Sequence, residues 1–479
     1  MAPDVLQSTI TRRGLLVGAA ASAAAAVIAA CADEVPSRSP VASASASGAA
    51  PSATSSAPPA SAAPSAAPAA SGSPAPAAHR RVLYRDGALT DARSATLQVG
   101  VSILVDDGVI SWIRPSDDEG DPGAADGLEV IDASGATFVP GMVDGHSHIT
   151  LPGGAHWIDR VSDAPATLAR VAEHNAGLMT RSGVRWARDV GSPTVADPVD
   201  GTTRGLAIGI RDRWAASGDR SYPYVRAAGT WIGVPNYLPD GIALEARNAD
   251  EFLALSMRQL DEGANFIKLY LDGPDNDVSP FSASEVKRVT DAAHARGAKV
   301  TAHATHLAGT RAGVSGGVDC IEHGDEIDAA LAAEMAKRGT SVVSTLAVLH
   351  SFLSFARTTK LPRFAGSGRT AAYKDRAAQS AASIKTAHAA GVRVVTGTDF
   401  GGGSTRANHL ALEVALLVKA GLQPWEALAS ATWKGGELLG EPGGGVIAEG
   451  GPADFFLVHG DPLSDVGVLT RVWRVGWLD

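Results

Sequence analysis

The chain has 479 residues, 45% hydrophobic and 19% charged, a length that suits one barrel-sized domain with a smaller companion. Its 41 Lys and Arg against 51 Asp and Glu give a net charge of -10, with no basic run outside the amino terminus, which excludes a broad nucleic-acid-binding face. Two cysteines, Cys31 and Cys320, exclude a disulfide framework and a thiolate zinc cluster.

Residues 1–31 combine Arg12-Arg13 after Ser8-Thr9-Ile10-Thr11, an uncharged Ala-rich stretch over 14–30, and then Cys31. This looks like a twin-arginine export signal, and Ile28-Ala29-Ala30-Cys31 resembles a bacterial lipobox whose cysteine takes the lipid. A short transmembrane anchor is the alternative, although the stretch falls short of the ~20 apolar residues a span needs. On either reading the body is exported, periplasmic or at the cell surface, and touches a membrane only through its lipid or signal. Residues 32–79 read as a tether: over 41–78, 34 of 38 residues are Ala, Ser or Pro and none is charged, so disorder is expected. As a coil this segment spans on the order of 35 Å.

Past residue 80 come short β-rich runs at 81–84, 95–105, 108–113, 129–132 and 137–139, which predict a small β unit. Apolar runs separated by amphipathic helical stretches follow: one ending near His148, then 184–190, 224–229, 266–271, 299–303, 318–323, 341–346 and 392–398. Asn248-Ala249-Asp250-Glu251 and Ser282-Ala283-Ser284-Glu285 look like capping boxes, and Gly297, Gly339 and Gly391 like helix stops. Eight strands alternating with helices predict an α/β fold, a parallel (β/α)8 TIM-type barrel. The last stretch returns to short β runs, as though completing the unit begun at residue 80.

In such a barrel the carboxyl ends of the strands meet at one mouth, and residues two apart share a face. His146 and His148 have the spacing for a single metal, in the setting Val139-Pro140-Gly141-Met142-Val143-Asp144-Gly145-His146-Ser147-His148. In Asn265-Phe266-Ile267-Lys268-Leu269-Tyr270-Leu271, the all-aliphatic face should meet the helices, so Lys268 points inward. An unpaired buried ammonium tends to lose its proton, and a neutral amine can take up carbon dioxide as a carbamate that bridges two metal ions. A lysine that reaches the mouth and pairs with a carboxylate is the plainer alternative. His303 and His323 each close a strand, and either alone reads as a core or rim histidine. Asp399 ends a strand too apolar to leave a carboxylate without a partner; a metal ligand that also accepts a proton is the role that fits. Cys320 reads as buried and inert.

Together these residues resemble the amidohydrolase superfamily of metal-dependent hydrolases, in its imidazolonepropionase-like and Xaa-Pro dipeptidase-type branch. The likeness runs from about Arg81 to Asp479. It includes Val130-Ile131-Asp132-Ala133-Ser134-Gly135, Ala427-Leu428-Ala429-Ser430-Ala431-Thr432 and Gly451-Pro452-Ala453-Asp454-Phe455-Phe456. It implies a barrel over 141–436 and a small β-sandwich built from 80–140 and 437–479. It also implies His146 and His148 as ligands of one metal, His303 and His323 of a second, carboxylated Lys268 as the bridge, and Asp399 as a further ligand of the first. Two divalent ions follow, zinc before manganese, cobalt or iron, with hydroxide available near neutral pH. Asp399 would take the nucleophile's proton and pass it to the leaving amine, with His323 beside it at the reacting centre. Dipeptidase-type members commonly carry a tyrosine after the His-Ala of the fifth strand, where Thr305 and His306 stand here, which puts prolyl-dipeptide specificity in doubt. His306 or Tyr270 can supply the replacement donor to the carbonyl, and His306 can equally be a rim residue. Gly401-Gly402-Gly403-Ser404 should leave room at the mouth, and Arg188 is left between binding a substrate carboxylate and pairing with a neighbouring acid.

The expected function is an exported amidohydrolase that cleaves an amide C–N bond in a small-molecule substrate, a dipeptide or N-acyl amino acid. Lactone or cyclic-amide hydrolysis by the same site, a mononuclear site, and a catalytically silent surface binding protein are the alternatives. The presence of all six candidate ligands argues against the last. Homo-oligomerisation is left open.

Overall fold

The computed structural model describes residues 79–120, 127–403 and 405–479. The signal, nearly all of the tether, and Ser404 of the glycine run therefore lie outside the described residues.

The first strands are β1 (Arg81–Leu89), β2 (Gln98–Asp106), β3 (Val109–Pro115), β4 (Leu128–Asp132) and β5 (Ala136–Pro140). Asp107 and Gly108, at φ +47° and +78°, make the two-residue turn between β2 and β3 that an Asp-Gly pair favours. Next come β6 (Met142–Ser147), β7 (Val184–Asp189), β8 (Thr194–Ala196), β9 (Thr203–Gly205), β10 (Tyr224–Ala227), β11 (Trp231–Gly233), β12 (Ala243–Glu245) and β13 (Phe266–Tyr270). They are followed by β14 (Lys299–Ala304), β15 (Cys320–His323), β16 (Ser341–Ser344), β17 (Val394–Thr396), β18 (Phe455–His459) and β19 (Val472–Val475).

All eight strand candidates of the body are strands, and helices connect them, so the chain is α/β. They lie in two parallel sheets, β10-β7-β6 and β12-β11-β13-β14-β15-β16-β17. Backbone hydrogen bonds join the sheets at two places: Asn265 donates to Ala227 beside β10 (2.8 Å), and Asp399 donates to His146 beside β6 (2.8 Å). The antiparallel pair β8–β9 and the short β11 and β12 were not foreseen, because three residues are too few to show a period of two. Both helix starts fall where expected, but only the second is a full capping box, since Glu251 accepts from the N–H of Arg247 and not from that of Asn248. The Asn248 side chain accepts from the N–H groups of Asp250 and Glu251 at the head of Ala249–Asp261, and Ser282 and Glu285 form a capping box on Ala283–His294. Gly339, at φ +74°, ends Ala329–Arg338.

Both ends of the described body build one seven-stranded sheet, ordered β19-β18-β5-β1-β2-β3 with β4 also on β1. The expected small β unit is thus one connected mixed sheet around its own core. Tyr84, Phe138 and Phe455 meet edge to face there, with ring centroids 5.2 to 6.0 Å apart, and Val82, Ile103 and Leu457 join them. From its other face Val139 and Phe456 enter the larger core of the parallel sheets. Buried Arg185 of β7 fastens the two parts. Its Nε donates to Asp454 (2.8 Å), just before β18, and its Nη1 donates to the carbonyls of Arg220 (3.0 Å) and Tyr222 (2.8 Å). Among the described residues no helix is long and apolar enough to cross a membrane.

Candidate metal centre

The ends of the parallel strands bring most of the sequence-marked residues to one cavity. His146 and His148 stand at the end of β6, Lys268 and Tyr270 in β13, His303 in β14, His323 closing β15, and Asp399 just beyond β17; all line it. The Nε2 atoms of His146 and His148 each lie 3.4 Å from Oδ1 of Asp399, and the three ligand atoms fall within 4.8 Å of one another. The other ring nitrogens are engaged. Nδ1 of His146 donates to Glu322 Oε2 (2.7 Å) and Nδ1 of His148 to the carbonyl of Gly191 (2.7 Å). A carboxylate or carbonyl oxygen only accepts, so both Nδ1 atoms carry hydrogen, and Nε2 of each ring, turned to Asp399, is the atom left to bind a metal.

The remaining histidines sit around this trio without joining its tight donor set. Nδ1 of His323 is 2.7 Å from the Thr345 hydroxyl, and Nε2 of His303 is 3.1 Å from Asp272 Oδ2. The His323 ring is 4.8 Å from that of His146 and 4.5 Å from that of His303, which stacks on Tyr270 at 3.8 Å. His323 and Asp399 both have left-handed backbones, at φ +70° and +52°. Such conformations are costly for residues with a Cβ and collect where a side chain must be aimed.

Lys268 is 2% exposed, and its Nζ has no hydrogen-bond partner among the described residues. Burial pushes its ammonium down to about 8, with Glu322 acting the other way. Burial also works against Asp399, yet His146, His148 and His323 hold its carboxyl well below the usual carboxylate range. The same contest at Glu322 is won by Arg188, Lys268 and His146, which keep it ionised. At Asp272, His303, His306 and Thr305 overcome burial and bring the carboxyl down to about 2.

Arg188 takes the second of its two expected roles: Nη2 pairs with Glu322, Nε donates to the Gly145 carbonyl (2.7 Å), and the side chain does not line this cavity. His306 precedes the helix Leu307–Gly316 with Nδ1 3.5 Å from Glu326, beside the cavity and not among its lining residues. Tyr270 does line it. Cys320 is buried, and burial pushes its thiol up to about 11, in keeping with an inert core residue. In the glycine run, a Cβ on Gly402 would stand 2.4 Å from the His148 ring, so the close approach of that ring requires glycine there.

Sequence reasoning missed Glu322 and Asp272, which orient His146 and His303. Glu322 had a signal: a carboxylate inside the apolar strand Cys320-Ile321-Glu322-His323 needs a buried partner. Also missed was the helical part of the cavity lining, made by Leu349 and Phe352 of Leu346–Thr358, Arg363 and Phe364 of Pro362–Ala365, and Tyr373 and Arg376 of Arg369–Ala389. Trp157, Ile158 and Leu238 line it as well. In sequence these apolar residues read like any helix that faces a core.

Two imidazole nitrogens aimed at one carboxylate oxygen, with an orphaned buried amine on the same cavity, make a donor set that fits divalent metal. Comparison with known proteins agrees. A relative from Mycobacterium tuberculosis, an uncharacterised protein, is 31% identical over 340 residues, 70% of this chain and 82% of its own length. Imidazolonepropionase of Anaeromyxobacter dehalogenans is 27% identical over 389 residues, covering 76% of this chain and 85% of that enzyme. A crystal structure of a Xaa-Pro dipeptidase with bound methionine in the active site superposes with a TM-score of 0.67 at 24% identity, over 83% of this chain and 99% of that one. The family model for the amidohydrolase family matches residues 137–475, which takes in every strand of the two parallel sheets and every cavity residue named above, and the chain belongs to that metal-dependent family of hydrolases.

Proposed function

We propose that this protein hydrolyses an amide C–N bond in a dipeptide or N-acyl amino acid at the cavity holding His146, His148 and Asp399. The observation that carries the reading is the pair of Nε2 atoms 3.4 Å from one Asp399 oxygen, each ring fixed through its Nδ1. His146, His148 and Asp399 would hold one divalent ion and His303 and His323 a second, with zinc favoured by the nitrogen and oxygen donors. When bound, such ions supply Lewis acidity, which polarises an amide carbonyl and brings the pKa of water toward 7. Lys268 would add oxygen donors as a carbamate: Nζ in its neutral form would bond to the carbon of carbon dioxide and lose a proton, turning an orphaned amine into a carboxylate able to hold metal.

Asp399 accepts the proton that the attacking water releases and returns it to the leaving nitrogen. The carbonyl carbon gains oxygen, the C–N bond breaks, and an acid and an amine result. Tyr270, stacked on His303 in the same cavity, is favoured over His306 as the donor to the substrate carbonyl, because His306 is turned toward Glu326. The reading extends to the whole chain. The two parallel sheets are proposed to be one (β/α)8 barrel over 141–436, supported by the hydrogen bonds at both of their junctions. Residues 80–140 and 437–479 form the companion unit. Export by the twin-arginine route, with lipid on Cys31, rests on the sequence of residues 1–31.

The test is metal content per chain by elemental mass spectrometry, with hydrolysis of a dipeptide and N-acyl amino acid panel before and after chelation. About two equivalents, and activity lost on chelation and restored by metal, are expected for a bridged site. No bound metal after reconstitution with zinc and bicarbonate, or hydrolysis indifferent to chelation, overturns the reading.

A further inference from the structure

The cavity that holds the histidines is also lined by two guanidinium groups in different states. Nε of Arg376 donates to Asp325 (2.8 Å), which also accepts from Ser380 (2.8 Å), so that charge is matched. Arg363 has no such acid: its Nε and Nη2 are buried and hydrogen-bonded to nothing among the described residues. The segment that bears it is held in place, since the Tyr373 hydroxyl donates to the Arg363 carbonyl and the guanidinium carbon lies 5.1 Å from the Phe364 ring centroid. Burying donor groups of a cation without an acceptor is costly, and an arginine fork matches a carboxylate in two parallel hydrogen bonds. Beside it Leu349, Phe352, Phe364 and Tyr373 present an apolar, largely aromatic wall.

We infer that Arg363 is the specificity-determining anchor for a free carboxylate on the substrate, and that the adjoining aromatic wall takes a bulky apolar side chain. The substrate class is an N-acyl amino acid or dipeptide whose carboxyl-terminal residue is large and apolar. The inference deepens the proposed function and rests on it for the identity of the bond cleaved. It also explains why the segment between β16 and β17 lines the cavity with a cation that no acid among the described residues matches.

The experiment compares Ala-Phe with its carboxyl-terminal amide as substrates of the metal-replete full chain, in wild type, Arg363→Gln and Arg363→Lys. Wild type is expected to prefer the free acid by about tenfold or more in kcat/KM, the scale of a charge-assisted hydrogen bond. Arg363→Gln should erase the preference chiefly through KM, and Arg363→Lys should restore part of it. A second readout needs no turnover: calorimetric binding of N-acetylphenylalanine against N-acetylphenylalaninamide, with the same preference expected and lost in Arg363→Gln. Equal handling of acid and amide by wild type, or a preference that survives Arg363→Gln, overturns the anchor. If neither dipeptide is hydrolysed while the binding preference holds and depends on Arg363, the cleavage reading fails and the anchor stands.

Discussion

Asp399 spends backbone energy on its position: at φ +52° its carboxylate turns back toward both β6 imidazoles, while its own N–H still reaches the His146 carbonyl. On the proposed mechanism this carboxylate moves a proton, so Asp399→Asn should keep the fold and lower turnover at least ~100-fold, checked by kcat alongside circular dichroism. Near-normal turnover would remove Asp399 from that role. Lys268 invites a different measurement, because a buried amine with no partner among the described residues stabilises nothing as it stands. Lys268→Ala should lower the metal count per chain, read by elemental mass spectrometry, and an unchanged count contradicts the bridge. At this scale the sequence was legible where function demands rare residue types at strand ends, as with His146, His148 and Asp399. It was not legible for Glu322 and Asp272, whose partners His146 and His303 come from other strands.

Between elements, the buried Glu413 of the helix Leu410–Ala420 ties the end of β16 to the start of Leu346–Thr358. It accepts from the Ser344 hydroxyl and from the N–H groups of Leu346 (2.9 Å) and Ala347 (2.7 Å). Burial nonetheless pushes its carboxyl up from the ordinary 4.5 to about 7. The folded state then binds more protons than the unfolded chain between those values, so this group's contribution is full below about 4.5 and declines as pH rises to about 7. Glu413→Gln, which cannot ionise, should gain stability relative to wild type on going from pH 5 to pH 8, measured as urea midpoints. A difference that stays constant with pH rejects the linkage. Capping boxes and glycine stops were readable because their chemistry is local; β11 and β12 were not, since pairing with neighbouring strands makes them strands.

For the molecule as a whole, the bond between Arg185 and Asp454 is one buried tie between the two parts, beside the core that Val139 and Phe456 share. Arg185 is 1% exposed, and Asp454 stands just ahead of β18 in the Gly-Pro-Ala-Asp motif by which the sequence resembled its family. Asp454→Ala leaves a buried guanidinium without its acid, and the expected loss is ~3–5 kcal/mol, seen as a lower Tm. Replacing both partners with leucine should recover part of that loss; a single variant with unchanged Tm would show that the bond fastens nothing. The order of strands in chain and pattern was open to sequence reading. That both ends share one unit was suggested by the return to short β runs near the end and implied, as a β-sandwich, by the family resemblance; the single connected sheet was not legible, because no local signal says which distant strands will pair.

That sheet also fixes a timetable. Strands β1 to β5 leave the ribosome early, but β18, which lies beside β5 and brings Phe455 against Tyr84 and Phe138, is made only after residues 141–454. At the usual ~5–20 residues per second this is a wait of roughly 15 to 60 s with an unfinished apolar face. The nascent chain is thus a natural client for a holding chaperone, and a message truncated before β18 yields a product marked for aggregation or degradation. The last strands made are the ones that certify the first.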